Sequence, residues 1–219
     1  MTSCLLFDLD GTLVDTDHLH LAAFNQLFAE HGIHIDRGTY TSKVMGRPNS
    51  EIAAALLPHL SPVEGRALLE RKEHVYRDMI TELEPLPGLF DLLDWAAHES
   101  IPCGVVTNAP RENAELVLRA IGLADRFDTL VIGDELTASK PDPLPYRTGL
   151  ARLGGISEKS VAFEDSPSGM RAALGAGLTL IGMMTALPED LVLSQGATIA
   201  VKDYTDPRLR RLIADRLSA

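Results

Sequence analysis

The chain has 219 residues, enough for one α/β domain with a modest insertion. Its apolar fraction of 45% supports a buried core, and its formal net charge of −11 argues against generic nucleic-acid or acidic-membrane binding, which need a basic surface. Positive potential for an anionic substrate must then be local: a lysine, a metal ion or backbone N–H groups.

In chain order, residues 3–7 form a short apolar run that stops at Asp8 and reads as a buried strand. Residues 16–85 then carry only helical patterns. Leu21, Phe24, Leu27 and Phe28 share one face of a helix predicted over 18–31, and further helices are predicted over 50–59, 61–72 and 73–82. Beyond the turn Pro85-Leu86-Pro87-Gly88, strands and helices alternate. Strands are predicted at 102–106, 129–132, 160–163, 178–181 and 198–201, with helices at 88–98, 111–121, 143–153 and 167–174. That alternation predicts right-handed crossovers and a parallel sheet. The helical stretch between the first two strands predicts a separate cap domain at 16–85, with the α/β core at 1–15 and 86–219.

Cys4 and Cys103 each sit in an apolar run and read as reduced core residues, because two isolated cysteines do not make a zinc site. The run before Asp8 is too short for a signal peptide, and no apolar stretch is long enough to span a bilayer. The expected location is the cytoplasm, and the expected assembly a monomer or homodimer.

Four strand ends carry polar groups, and in open α/β sheets ligands bind at the carboxyl ends of strands. Asp8 and Asp10 flank Leu9 ahead of Gly11. They read equally as catalytic carboxylates or as solvated loop acids. Thr107-Asn108 ends the second strand and offers a hydroxyl and an amide for a phosphoryl oxygen, or a helix cap. Lys140 precedes Pro141 at the start of a helix, and Glu164-Asp165 ends a later strand. One or two carboxylates suffice for Mg²⁺, which prefers oxygen ligands and retains waters.

Taken in order, Asp8-x-Asp10-Gly-Thr, Thr107-Asn108, Lys140-Pro141 and Glu164-Asp165 resemble the four motifs of the haloacid dehalogenase-like (HAD) hydrolase superfamily. The chain is most similar to its β-phosphoglucomutase and sugar-phosphate phosphatase group with an α-helical cap. The resemblance implies a Rossmann-like core with an inserted helical cap, and Mg²⁺-dependent phosphatase action on a small phosphorylated metabolite through an aspartyl-phosphate. It implies Asp8 as nucleophile and Asp10 as the acid that protonates the leaving oxygen and then activates water. It assigns the phosphate to Leu9, Thr107, Asn108 and Lys140, and the metal to Asp8, the Asp10 carbonyl, Asp165 and, directly or through a neighbour, Glu164. The family's dehalogenases lack an aspartate two residues after the nucleophile, so Asp10 argues for an alkoxide leaving group, which needs a proton. In the insert, Thr16, His20, Arg47 and Lys72 are the expected substrate readers. Mutases of this group place an arginine three residues after a cap glycine; here Arg47 directly follows Gly46, and Asn49 takes the third position. That departure favours a phosphatase over a phosphomutase.

Overall fold

All six expected strands form. The protein is seen here as a computed structural model that describes residues 2–47 and 49–218. Strands β1 (Leu5–Phe7), β2 (Cys103–Thr107), β3 (Thr129–Ile132), β4 (Val161–Glu164), β5 (Thr179–Met183) and β6 (Ile199–Val201) build one parallel sheet in the order β3-β2-β1-β4-β5-β6. β1, β2, β4 and β5 are buried along their whole length, as strands covered by helices on both faces must be.

Side chains alternate across such a sheet. Leu5, Phe7, Val105, Phe163 and Ile181 face one way, and pack with Leu92 of α5 (Leu89–His98), Val117 of α6 (Arg111–Ala120) and Ile213 of α10 (Arg208–Ser218). Leu6, Val106, Ala162 and Leu180 face the other way, toward Tyr146 and Leu150 of α7 (Leu144–Leu153) and Met170 of α8 (Pro167–Gly175). The rings of Phe7 and Phe163 stack at 4.6 Å between centroids, directly beneath the two strand ends that carry Asp8 and Glu164.

Between β1 and β2 lie α1 (Asp17–Phe28), α2 (Arg37–Lys43), α3 (Asn49–Leu56) and α4 (Pro62–Met79). The expected pair of helices at 61–72 and 73–82 is the single helix α4, started by a capping box in which Ser61 and Glu64 bond each other's backbone N–H. Nothing at residue 72 interrupts the backbone, so the apolar stripe simply continues. The helix expected over 18–31 ends at Phe28 in a tighter turn at Ala29–His31. α2, α10 and the short α9 (Glu189–Ser194) were not expected. α2 holds a glycine and two threonines and buries only Tyr40, so it has almost no periodic signal; Asp36 caps it by accepting from the Thr39 N–H. The buried residues of the insert are continuous with those of the sheet, Phe24 and Leu68 joining one cluster and Ala23 and Tyr76 the other.

The strand order reverses at β1: the chain runs outward to β2 and β3, then returns to lay β4 on the other side. The crevice above such a reversal is where open α/β sheets bind ligands. Replacing Phe163 by alanine should destabilise the protein by about 3–5 kcal/mol, read from urea unfolding, because it removes the ring stack under that crevice.

Candidate active site

The loops after β1, β2, β3 and β4 converge on one buried lysine. Lys140 is 1% exposed, and its Nζ donates to Asp8 Oδ1 at 2.6 Å and to Glu164 Oε1 at 2.5 Å. The Tyr146 ring lies 5.1 Å from the ammonium, and the Tyr146 hydroxyl donates to the same Glu164 oxygen at 2.8 Å. The other Glu164 oxygen accepts from the Ser166 N–H and hydroxyl. Asn108 fixes the Lys140 backbone from both sides: its Oδ1 accepts from the Lys140 N–H and its Nδ2 donates to the Lys140 carbonyl, each at 3.1 Å.

Asp165 stands apart from this network. Its carboxylate is buried, and among the described residues neither oxygen has a hydrogen-bond partner. Asp8, Glu164 and Asp165 each offer an oxygen, all within 4.8 Å of one another. Gly11 makes room for this, since a Cβ there would collide with the Asp165 carboxylate and its φ is +78°. A buried, unpartnered carboxylate beside two others is costly unless something cationic meets it. Three carboxylates against one ammonium leave two negative charges, which one divalent cation would cancel. The donors are all oxygen, as a hard cation prefers, so the site fits such a metal.

The acid–base balance reflects the same surplus. Burial, with Glu164 beside it, pushes the Asp8 carboxyl up to about 8 against the pull of Lys140. Burial, then Asp8 and Glu164, drives Asp165 well above the usual carboxylate range. Burial alone would lower Lys140, but Asp8 and Glu164 outweigh it and raise it.

Asp10 points elsewhere. Its Oδ1 accepts from the Thr16 hydroxyl at 2.5 Å and lies 3.5 Å from both His20 Nε2 and the Tyr76 hydroxyl. Burial pulls its carboxyl upward, yet His20, Thr16 and Lys72 together hold it below the ordinary value. His20 stacks on the Tyr76 ring at 3.9 Å, and its Nδ1 meets Lys72 Nζ at 3.0 Å. Three of the four expected insert residues, Thr16, His20 and Lys72, thus gather on Asp10. Arg47 does not. It lines the cavity from its half-exposed rim, bonding the Ser42 carbonyl and standing 3.9 Å from Glu51.

Of the remaining expected residues, Thr107 and Asn108 line the same space. The Thr107 hydroxyl is buried and accepts from the Ala109 N–H, leaving its proton for a ligand. The Leu9 side chain is in the core and its carbonyl accepts from Thr12 and Leu13, so only its N–H remains to bind anything. The pocket between insert and sheet edge has a volume of about 80 Å³ and is lined by Asp8, Asp10, His20, Lys72, Thr107 and Lys140 among others. Sequence reasoning missed Asp17 and Glu73, which also line it, and Tyr146, which holds Glu164. None has a motif; Glu73 reads as an ordinary surface acid of α4 until its burial is seen.

Insert and core also meet at Gly46. Its carbonyl accepts from Asn108 Nδ2 at 3.1 Å and from the Ser168 hydroxyl at 2.6 Å, and a Cβ at Gly46 would strike Ser166 and Ser168.

The sequence model of one family, described as haloacid dehalogenase-like hydrolase, matches residues 5–183. The chain belongs to the haloacid dehalogenase-like hydrolases. It is 32% identical over 214 residues to a validoxylamine A 7'-phosphate phosphatase of Streptomyces hygroscopicus subsp. limoneus, covering 95% of this chain and 97% of that protein. It is 28% identical over 210 residues to a β-phosphoglucomutase of Bacillus subtilis (strain 168), covering 90% and 92%. A crystal structure of a CbbY variant from Rhodobacter sphaeroides in complex with xylulose-(1,5)bisphosphate has a TM-score of 0.82 at 30% identity, covering 94% of this chain and 96% of that one. Phosphatases of sugar phosphates and a sugar-phosphate mutase are thus both among its relatives, and its parallel sheet is the Rossmann-like core of HAD hydrolases. Among the described residues, no helix is long and apolar enough to cross a membrane.

The raised Asp8 and Asp165 values make stability depend on pH. A carboxyl raised from 3.8 to about 8 keeps a proton in the folded state that the unfolded chain has released. Its contribution is fully present below the unfolded value and is lost as pH rises toward the folded one. In EDTA, thermal melts should show Tm falling from about pH 5 to about pH 8. A divalent cation held by these carboxylates would compete with those protons, so added Mg²⁺ is expected to raise Tm more at the higher pH, the stabilisation being about 2.7 kcal/mol at a hundredfold excess over Kd.

Proposed function

We propose that this HAD hydrolase is a Mg²⁺-dependent phosphoric monoester hydrolase that forms an aspartyl-phosphate on Asp8. The observation that carries the reading is Asp8 bonded through one oxygen to buried Lys140, with Asp165, which has no hydrogen-bond partner among the described residues, alongside. Lys140 holds one Asp8 oxygen and leaves the other for attack on phosphorus. An anionic nucleophile meeting an anionic ester is repelled, and Lys140 offsets part of that repulsion. Asp8 and Asp165 would hold the metal, with the Asp10 carbonyl. Glu164, both of whose oxygens are engaged, would chiefly position Lys140. When bound, Mg²⁺ supplies charge neutralisation to the phosphoryl oxygens.

The Thr107 hydroxyl, Lys140 and the Leu9 and Asn108 N–H groups would take the phosphoryl oxygens. As the P–O bond to the leaving group breaks, Asp10 gives its proton to the departing alkoxide. It then takes a proton from the water that attacks the phosphorus of phospho-Asp8, which returns Asp8 as a carboxylate and releases inorganic phosphate. Asp10 must be protonated for the first step. Its hold by His20, Thr16 and Lys72 therefore has to change as substrate arrives between sheet and insert.

The substrate we infer is a small phosphate ester, a sugar phosphate or a phosphoglycolate-like metabolite, because the helical insert closes over little free space. Residues 16–85 would act as a mobile cap that excludes water and reads the leaving group. The Asn49 amide is committed to Glu73 at 2.7 Å, and Arg47 sits at the rim, so neither is placed as a dedicated grip for a second phosphate. This supports water over a second sugar hydroxyl as the phosphoryl acceptor. Cytoplasmic location belongs to the same reading.

Phosphate release from a panel of small esters should be Mg²⁺-dependent and abolished by EDTA. Asp8→Asn should lower it by more than about a thousandfold. Activity retained in Asp8→Asn or in EDTA would refute the mechanism. A mutase would instead interconvert sugar 1- and 6-phosphates with little inorganic phosphate released, and turnover restricted to phosphopeptides would remove the small-substrate assignment.

A further inference from the structure

The turn that carries Asp8 and Asp10 closes on itself. The Gly11 N–H bonds the Val14 carbonyl at 2.7 Å, and the Leu13 N–H bonds the Leu9 carbonyl at 2.8 Å. The Gly11 and Thr12 carbonyls are met by hydroxyls from far along the chain. Thr185 Oγ1 donates to the Gly11 carbonyl at 2.7 Å, and the Tyr204 hydroxyl donates to the Thr12 carbonyl at 3.0 Å. Thr185 follows β5 and Tyr204 follows β6, and the Met184 N–H bonds the Val201 carbonyl at 2.8 Å, which ties the two segments together. Tyr204 is buried, its ring lies 5.4 Å from that of Phe163, and its N–H donates to the Pro87 carbonyl. Neither Thr185 nor Tyr204 is among the described residues that line the pocket.

These two bonds hold one particular contact. Gly11 lies against Asp165, so that a Cβ on Gly11 would strike the Asp165 carboxylate and come within 3.2 Å of Thr185 Oγ1. A turn fixed by side chains on strand ends loses its freedom when the protein folds, and not again when a ligand binds. Mg²⁺ demands a near-ideal octahedron, so ligands that must first be moved into place hold it less well. The hydrogen bonds that keep a metal's ligands in place typically contribute about 10- to 100-fold to its affinity.

We propose that Thr185 and Tyr204 are positioning residues that pre-form the metal site, by pinning the turn after β1 so that Asp8 and the Asp10 carbonyl stay in register with Asp165 before a cation arrives. Neither touches metal or substrate; both act through the Gly11 and Thr12 carbonyls. The proposal rests on the reading above in which Asp8, Asp165 and the Asp10 carbonyl hold Mg²⁺.

The test is the Mg²⁺ affinity of the folded, metal-stripped protein, measured by calorimetric titration with no substrate present. Thr185→Val and Tyr204→Phe should each raise Kd by about tenfold, while Thr185→Ser, which keeps the hydroxyl, should stay within about threefold of wild type. Ser160→Ala is the control. It removes a hydroxyl-to-carbonyl bond to Ile156 at the opposite edge of the sheet, and should cost stability without moving Kd. At saturating Mg²⁺, kcat for a hydrolysed ester should return to within about threefold of wild type in every variant, since no group that touches substrate is lost. Tyr204→Phe keeps the ring and carries the comparison if Thr185→Val does not fold. An unchanged Kd in either folded variant, equal weakening in Ser160→Ala, or a Thr185→Ser protein as weak as Thr185→Val overturns the proposal. So does a kcat that stays low at saturating Mg²⁺. Wild-type protein that binds no Mg²⁺ overturns the metal reading, and this role with it.

Discussion

The ion pair between Lys140 and its two carboxylates is the constraint on which the site depends. An ammonium buried this deeply is tolerable only because Asp8 and Glu164 both meet it within hydrogen-bond distance. The same contact spends one oxygen of Asp8 and leaves the other open. Adding Asp165 tips the cluster to a negative surplus that no described residue meets. A site built this way is in deficit for cationic charge, and a divalent metal and a transferring phosphoryl group are the chemistry that such a deficit can serve.

Bringing these groups together is the work of the sheet. Lys140 lies 132 residues from Asp8 and 24 from Glu164, and the strand order puts their loops on one edge. Because β1 lies between β2 and β4, the loop after β1 meets Thr107 and Asn108 on one side and Glu164 and Asp165 on the other. The stacked Phe7 and Phe163 rings hold the two acidic strand ends in register from below. Asn108 adds a separate tie, bonding the Lys140 backbone on one hand and the Gly46 carbonyl of the insert on the other.

The insert meets the core by polar contacts that include Thr16, His20 and Tyr76 with Asp10, Gly46 with Asn108 and Ser168, and Glu73 and Arg77 with Asn113. Hydrogen bonds of this kind can be exchanged for water at modest net cost, unlike a continuous apolar interface. The apolar clusters shared between insert and sheet oppose that freedom, so closure is the state seen here. The arrangement suits an enzyme whose proton donor is assembled from both parts.

The sequence by itself determined the sheet, the helical insertion after β1 and the residues at the strand ends. Strand burial leaves continuous apolar runs such as Cys4–Phe7, and chemistry at the carboxyl edge leaves polar residues immediately after them, so both are local signals. It did not determine that α4 is one helix, that α2 exists, or that α10 closes the second face, because weak periodicity is settled by what a helix packs against. Nor did it separate the two metal-motif acids: Glu164 and Asp165 are adjacent, yet one is fully engaged by Lys140, Tyr146 and Ser166 while the other has no hydrogen-bond partner among the described residues. Thr16, His20 and Lys72 were legible only through resemblance. Glu73 and Asn113 were not legible at all, since an acid on a helix and an amide near a helix start look solvated until a fold buries them against each other. Partnering across the junction between insert and sheet is a property of three-dimensional contact between residues 40 apart, and only the tertiary structure decided it.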